Sequence, residues 1–333
     1  MDAVDAPDPD RLLRDLERAL AGLTALCAAY APDAADTARP ARVPIPGTAL
    51  TIIPPPAFAP AERFRGFEHA TQPWSTIMAV PTPAPYAEAT AGFDEGPLAD
   101  AGLELLGRDP IRVSEVRGLR LDLAQEALGM RFRKTVLAFG DRAGTTLVTA
   151  TWLTSDGPDD PYGPDLGPAM AASLASLQLD PDLAADPRGA LDFTVDETAG
   201  DLRVAAVPGT SILLNRHGRI DPEAADQTAV LVDRSHSAPL IDDHELFVEL
   251  RMRQLPGNWH LAPGTQVASV TYGGLDGYQV SAVDEASERD DAATIAVVYE
   301  PEGGYYVLVG MYRRGDEAGR RDAEAVMGTF AVR

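Results

Sequence analysis

Cysteine is almost missing from this 333-residue chain, and so is lysine. The single thiol, Cys27, excludes a disulfide within the chain and any multi-cysteine metal site. Lys134 is the one lysine among 28 basic residues. No stretch reaches the roughly 18 apolar residues that a membrane-crossing helix needs. The first residues, Met1-Asp2-Ala3-Val4-Asp5, are acidic where a secretory leader begins with basic residues. These features lead us to expect a cytoplasmic protein with no membrane partner. Positive charge is also scarce: 28 Lys and Arg stand against 51 Asp and Glu, for a net −23. A nucleic-acid partner needs clustered basic residues, and an anionic membrane surface repels such a chain. There is no Gly-x-Ser-x-Gly elbow, phosphate loop or His-Glu-x-x-His helix. The expectation is therefore no enzyme, no catalytic residue, no metal and no cofactor.

What is present divides unevenly. The excess acid is −4 over residues 1–40, −1 over 41–154, −6 over 155–190 and −12 over 191–333. A nearly neutral first half and a strongly acidic second half argue for two units with unlike surfaces. The length agrees with two domains, and the 45% hydrophobic content is enough for real cores. The expected boundaries are 1–42 for an N-terminal helix and linker, 43–180 for a first domain and 191–333 for a second.

Asp8 and Pro9 make a helix start, and Leu13, Leu16, Leu20, Leu23, Cys27 and Tyr30 follow at spacings of three and four. This amphipathic stripe seats a helix on its own domain or on a second copy of the chain. Pro32 ends it, and residues 31–45 read as a Pro/Ala linker. Strand-like runs then occupy 50–53, 75–80 (stopped by Pro81), 111–116, 119–123, 132–139 and 145–153. Residues 86–106 read as helical, broken near Gly96-Pro97, and 168–179 as a helix after a Pro/Gly-rich loop. The second half offers strands at 193–197, 202–207, 211–214, 229–233, 267–272, 278–283, 294–299 and 305–312. Residues 246–252 fit a strand or a helix, with helix favoured, and 316–330 form a closing helix.

The two halves share an order of signals. Pro46-Gly47-Thr48 recurs as Pro208-Gly209-Thr210, Val113-x-x-Val116 as Val267-x-x-Val270, and Gly118-Leu119 as Gly274-Leu275. The segment 145–153 recurs as 305–313. The offsets stay between 154 and 162, so the chain reads as two copies of one α+β unit. Short Gly turns pair consecutive strands antiparallel. The expected fold class is α+β: two tandem antiparallel sheets, each packed with helices, after the N-terminal amphipathic helix.

Part of the first half resembles PsbP-like proteins. The resemblance runs through Pro85-Tyr86-Ala87-Glu88, Gly92-Phe93-Asp94 and Leu98-Ala99-Asp100-Ala101-Gly102-Leu103-Glu104. It continues through Val116-Arg117-Gly118-Leu119, then Gly129-Met130-Arg131-Phe132-Arg133-Lys134-Thr135-Val136-Leu137-Ala138-Phe139-Gly140-Asp141, and Thr145-Thr146-Leu147-Val148-Thr149-Ala150-Thr151. Gly274-Leu275-Asp276-Gly277-Tyr278 and Gly304-Tyr305-Tyr306-Val307-Leu308-Val309-Gly310 look like a more distant version. The superfamily also includes Mog-like, Ran-binding proteins. The resemblance implies a twisted antiparallel sheet with helices packed on it, binding or assembly roles, and no shared catalytic residues.

The candidate site residues are few. Arg131 and Arg133 share one face of a strand, with Phe132 and Lys134 on the other. They either meet a partner's carboxylate or phosphate, or pair with the acidic second half. Trp259-His260 and Tyr305-Tyr306 are binding aromatics or core. Asp242-Asp243-His244-Glu245 suits a helix N-terminus or a cation. His236 between Ser235 and Ser237 suits a polar turn, and Asp156, Asp159, Asp160 and Asp165 a solvated loop. The functional expectation is a non-enzymatic binding or adaptor protein with a protein partner, contacted through Arg131, Arg133 and Trp259. A chaperone for secreted effectors is the alternative, followed by a small-ligand receptor or enzyme.

Overall fold

The computed structural model describes residues 41–333 apart from 73, 128, 155–164, 184, 222, 223 and 225. The helix expected over residues 8–30, with its stripe Leu13, Leu16, Leu20 and Leu23, lies outside the described residues. So does the oligomer contact assigned to it. Residues 42–333 form one compact unit.

The chain opens with β1 (Val43–Pro44), β2 (Leu50–Ile52), β3 (Phe58–Pro60), β4 (Gly66–His69) and β5 (Thr76–Thr82). Two short helices follow, α1 (Tyr86–Ala89) and α2 (Glu95–Asp100). Then come β6 (Leu103–Val113), β7 (Val116–Ala127), β8 (Met130–Gly140), β9 (Thr145–Leu153), α3 (Gly167–Ala175) and β10 (Gln178–Leu179). The second half has β11 (Phe193–Thr194), β12 (Arg203–Ala206), β13 (Ile212–Asn215), β14 (Ala229–Arg234) and α4 (His244–Arg253). It closes with β15 (Trp259–Leu261), β16 (Ala268–Tyr272), β17 (Leu275–Asp284), β18 (Asp291–Tyr299), β19 (Tyr305–Arg313), α5 (Glu317–Met327) and β20 (Ala331–Val332).

These strands build two large antiparallel sheets, as an α+β fold requires. The first has the order β3-β4-β5-β9-β8-β7-β6. The second has the order β12-β13-β14-β19-β18-β17-β15, with β16 also on β17. The order is the same in both, with β15 and β16 together where β6 stands in the first. The hairpin ends also correspond. Gly140 faces Thr145 as Tyr299 faces Tyr305, and Val113 faces Val116 as Tyr272 faces Leu275. Segment 145–153 thus matches 305–313, as the sequence spacing suggests. The other spacings slip. Gly118 corresponds to Gly277 rather than Gly274, because Gly118 faces Phe139 and Gly277 faces Val298. The two Pro-Gly-Thr turns are not equivalent: Thr48 precedes β2, whereas Thr210 lies between β12 and β13.

Each sheet packs a long helix on one face. In the first, Met170 and Leu174 of α3 cover Ile77, Ala79, Leu137, Phe139, Val148 and Ala150. In the second, Ala323, Val326 and Met327 of α5 cover Val230, Val232, Ala296 and Leu308. The opposite faces differ. Val248 and Met252 of α4 close the second sheet over Val280, Ile295, Val297, Val307 and Val309. On the first sheet that place has only α1, which buries nothing, and α2, which buries Leu98. The residues beneath follow suit. Ala293, Val309 and Met311 of the second sheet have Lys134, Thr149 and Thr151 as counterparts in the first, by register. A strand face without a helix above it carries polar side chains.

Two local expectations change and a third holds. β5 runs through Pro81 to Thr82, because β4 pairs with it only as far as Met78 and the missing N–H of Pro81 breaks no ladder there. Residues 86–106 hold two helices and the start of β6. Gly96-Pro97 sits in the first turn of α2, where proline is tolerated. The helix reading of 246–252 holds as α4, capped by the Asp243 side chain, which accepts from the Leu246 N–H at 2.9 Å.

Candidate binding groove

The loop at residues 61–65 carries two arginines into the second half. The Arg63 guanidinium donates to Glu300 Oε2 at 2.6 Å and to the Gly303 carbonyl at 2.8 Å. Arg234, at the end of β14, donates to the other oxygen of Glu300 at 2.9 Å and forms an ion pair with Asp192 at 2.5 Å. It also reaches back to the Glu62 carbonyl at 3.1 Å. The Tyr306 hydroxyl completes the set, donating to Asp192 at 2.7 Å while Arg234 lies over its ring at 5.5 Å. Burial pushes the Tyr306 hydroxyl above the ordinary tyrosine range, and the bond to Asp192 adds to this. Arg65 donates to the carbonyls of Pro187 and Val207. His236 sits in the same seam, bonded to Thr210 at 3.0 Å and edge-on to Phe64. It lies exposed at the rim of the seam.

Glu300 and the turn after it also form one wall of a groove of about 890 Å³ in the second half. Residues 239–244 continue this wall as a lip, the Pro239 carbonyl accepting from the Gly304 N–H at 3.0 Å, with Leu240 82% exposed and Ile241 beside it. The floor is the end of the second sheet: Tyr278 from β17 and Tyr299 from β18, flanked by Ser269, Val270 and Thr271 of β16. The His244 ring stacks on Tyr299 at 3.7 Å, and the Tyr299 hydroxyl donates to the His244 carbonyl at 2.9 Å. Burial, with the nearby Tyr278, Tyr305 and Asp243 charges, raises the Tyr299 hydroxyl, so it stays a protonated donor. Asp242, Asp276 and Glu300 line the groove, and no arginine or lysine does. Glu300 is neutralised by Arg63 and Arg234, and Asp276 accepts from the Thr271 hydroxyl at 2.9 Å. The negative character comes from Asp242 and Asp276. No group of three or more His, Cys, Asp or Glu suited to a metal occurs among the described residues.

The residues expected to bind a partner lie elsewhere and apart. Arg131 is half exposed and pairs with Glu104 of its own sheet at 3.1 Å. Arg133 is half buried two positions along β8. The arginine that pairs with the acidic second half is Arg63, in an Arg-Phe-Arg run like that of Arg131-Phe132-Arg133. Sequence spacing alone does not separate the two. Trp259 is 8% exposed in the core under α4, its indole N–H bound to the Pro256 carbonyl at 2.8 Å. Tyr306 is fully buried. The groove residues Leu240, Tyr278 and Tyr299 carry no binding motif. Asp242 and His244 stood out in the sequence as a helix start, and Asp276, Gly277, Tyr278 and Gly304 as part of the distant resemblance, none of them as a binding site.

No family model matches the chain, and no curated protein does. Solved structures that are similar to it at a distance include three of note. Cyanobacterial PsbP (CyanoP) from Synechocystis sp. PCC 6803 is 10% identical over 45% of this chain and 98% of its own, with a TM-score of 0.28. The T6SS immunity protein TplEi from Pseudomonas aeruginosa is 11% identical over 83% of this chain and 96% of its own, with a TM-score of 0.29. A chain of the Tle4–Tli4 complex is 10% identical over 83% of this chain and 98% of its own, with a TM-score of 0.31. Similarity this distant says nothing about function.

No helix among the described residues is long and apolar enough to cross a membrane.

Proposed function

We propose that this chain is a non-enzymatic protein-binding module, and that the groove of the second sheet takes a segment of the partner. The observation that carries this is the combination in one open groove of an exposed leucine lip, a tyrosine floor and uncompensated carboxylates. Aromatic floors and apolar lips favour protein ligands, while the acidic rim selects among them. The seam around Glu300 holds the groove wall to the first half, so the first sheet serves as a rigid support. The shared strand order supports reading residues 43–180 and 191–333 as two copies of one unit, of which the second became the acidic, ligand-facing one.

The test is site-specific crosslinking. A photo-crosslinking residue at Leu240 should capture one partner species, and the same residue at Arg112 should capture none. The captured protein, purified, should bind the wild type and lose at least tenfold in affinity to Tyr278→Ala. Equal capture from both positions, or undiminished binding to Tyr278→Ala, would refute the reading.

A chaperone for exposed apolar segments is the second reading. It is favoured by Leu246 and Leu250, exposed one turn apart on α4, the helix that follows the groove lip. It predicts that Leu246→Ser with Leu250→Ser abolishes suppression of aggregation of an unfolded client.

A further inference from the structure

β16 is an edge strand of unusual character. Among the described residues it pairs with β17 alone, with Ala331 bridged to Gly273 just beyond its end, and Ala268, Ser269 and Thr271 are exposed along it. Its sequence, Ala-Ser-Val-Thr-Tyr, holds no charge and no proline, the usual guards of an open edge. The turn that joins it to β17, Gly273-Gly274, has positive φ at both residues (60° and 81°), the geometry of a two-residue hairpin. Such a hairpin closes on Tyr272 and Leu275. The backbone groups of Tyr272, Val270 and Ala268 therefore turn toward β17, and those of Ser269 and Thr271 turn to the open side. The same residues, Ser269 to Thr271, border the groove.

From this we infer that the partner segment binds as an added β-strand on β16, and that it is a basic, extended peptide. This rests on the groove reading above and deepens it. A strand on the free edge satisfies the N–H and C=O groups of Ser269 and Thr271, and its alternate side chains turn over the sheet face into the groove. There they meet Tyr278, whose ring suits a cation, between Asp242 and Asp276. No arginine or lysine is among the described residues that line that place. The residues 191–333, at net −12, add long-range attraction for the same charge.

The probes are three labelled decapeptides, read by fluorescence anisotropy at low salt on the full chain. One alternates arginine and threonine, one replaces arginine by glutamate, and one repeats the first with alternate backbone nitrogens methylated. The arginine peptide should bind, and the other two should bind at least tenfold more weakly. Asp276→Asn should weaken the arginine peptide about fivefold. Ser269→Pro should weaken it at least tenfold. The methylated peptide tests the same contact in an unaltered protein should that variant fail to fold. If the methylated peptide binds as well as its parent and both are lost with Tyr278→Ala, strand addition is overturned and the groove reading stands. If the glutamate peptide binds equally, the basic partner is overturned. No arginine-peptide binding at millimolar concentration overturns the inference, and the Leu240 crosslink then decides the groove reading separately. A wild-type dimer in sedimentation that Ser269→Pro abolishes would place a second copy on the edge and also overturn it.

Discussion

Arg63 and Glu300 meet at 2.6 Å across the seam between the two sheets, each side chain only 17% exposed. Glu300 holds a second arginine, Arg234, on its other oxygen, so one carboxylate ties β14 and the 61–65 loop together. Removing one partner of such a buried set leaves uncompensated charge. Glu300→Gln should destabilise the protein by about 3 kcal/mol in urea unfolding. In a double-mutant cycle, Arg63→Met and Glu300→Gln should be non-additive by at least about 1 kcal/mol. Simple additivity would show that the pair carries no coupling between the halves.

Lys134 is half buried on the first sheet, between Leu123 and Thr151 of the neighbouring strands, and burial lowers its pKa. A base whose folded pKa is lowered binds fewer protons in the native state than in the unfolded chain. It therefore costs stability at neutral pH, and that cost fades as pH rises toward the unfolded lysine value. Lys134→Met should raise stability at pH 7 by about 1 kcal/mol, and by less at pH 10.5. A destabilised variant at pH 7 would refute this reading of Lys134.

The tyrosines have the opposite sign. Burial raises the hydroxyl pKa of Tyr272, Tyr299, Tyr306 and Tyr312. The native state keeps these protons while the unfolded chain ionises near pH 10. Their contribution is complete below that value and is lost above it, at about 1.4 kcal/mol per pH unit for each tyrosine. Unfolding above pH 10 should coincide with the rise of tyrosinate absorbance. Tyr306→Phe should flatten the pH slope even though it lowers stability at pH 7. A folded-state tyrosinate signal near pH 10 that is lost on Tyr306→Phe would contradict this.

Gly118 and Gly277 stand at corresponding places, and each is pressed by the neighbouring strand. A Cβ on Gly118 would lie 2.4 Å from the Ala138 carbonyl oxygen, and one on Gly277 would lie 2.0 Å from that of Val297. Backbone cannot give way as a side chain can. Either alanine substitution should cost about 3 kcal/mol, whereas Gly92→Ala, in open space, should change stability by less than about 0.5 kcal/mol. Chemical denaturation of the three variants decides it.

Much of this fold was legible as pattern. The 145–153 and 305–313 hairpin strands, the capped α4 and the closing α5 all follow from periodicity and caps. The correspondence of the halves was legible in outline but mis-registered. Gly274 lies in the β16–β17 turn and Gly277 three residues on in β17, and only the pairing with Val298 shows which one meets the crowded strand. Short strands such as Phe58–Pro60 and Gly66–His69 were not seen, because two to four residues carry no period. The binding groove was the least legible. Leu240, Tyr278 and Tyr299 come from three distant segments, and a tertiary fold alone brings them together. Trp259 misled for the converse reason: an aromatic on a strand is ordinary core until its neighbours are known.

β19 lies in the middle of the second sheet, between β14 and β18, yet it is the last of that sheet's strands to be made. During synthesis β12, β13 and β14 therefore leave the ribosome with one long edge unpaired. β14 has nothing to close against until residues 305–313 emerge. β5 waits in the same way for β9, over a shorter stretch of translation. The first sheet can be complete while the second is still half translated, which makes the nascent acidic half the stretch most dependent on a holding chaperone.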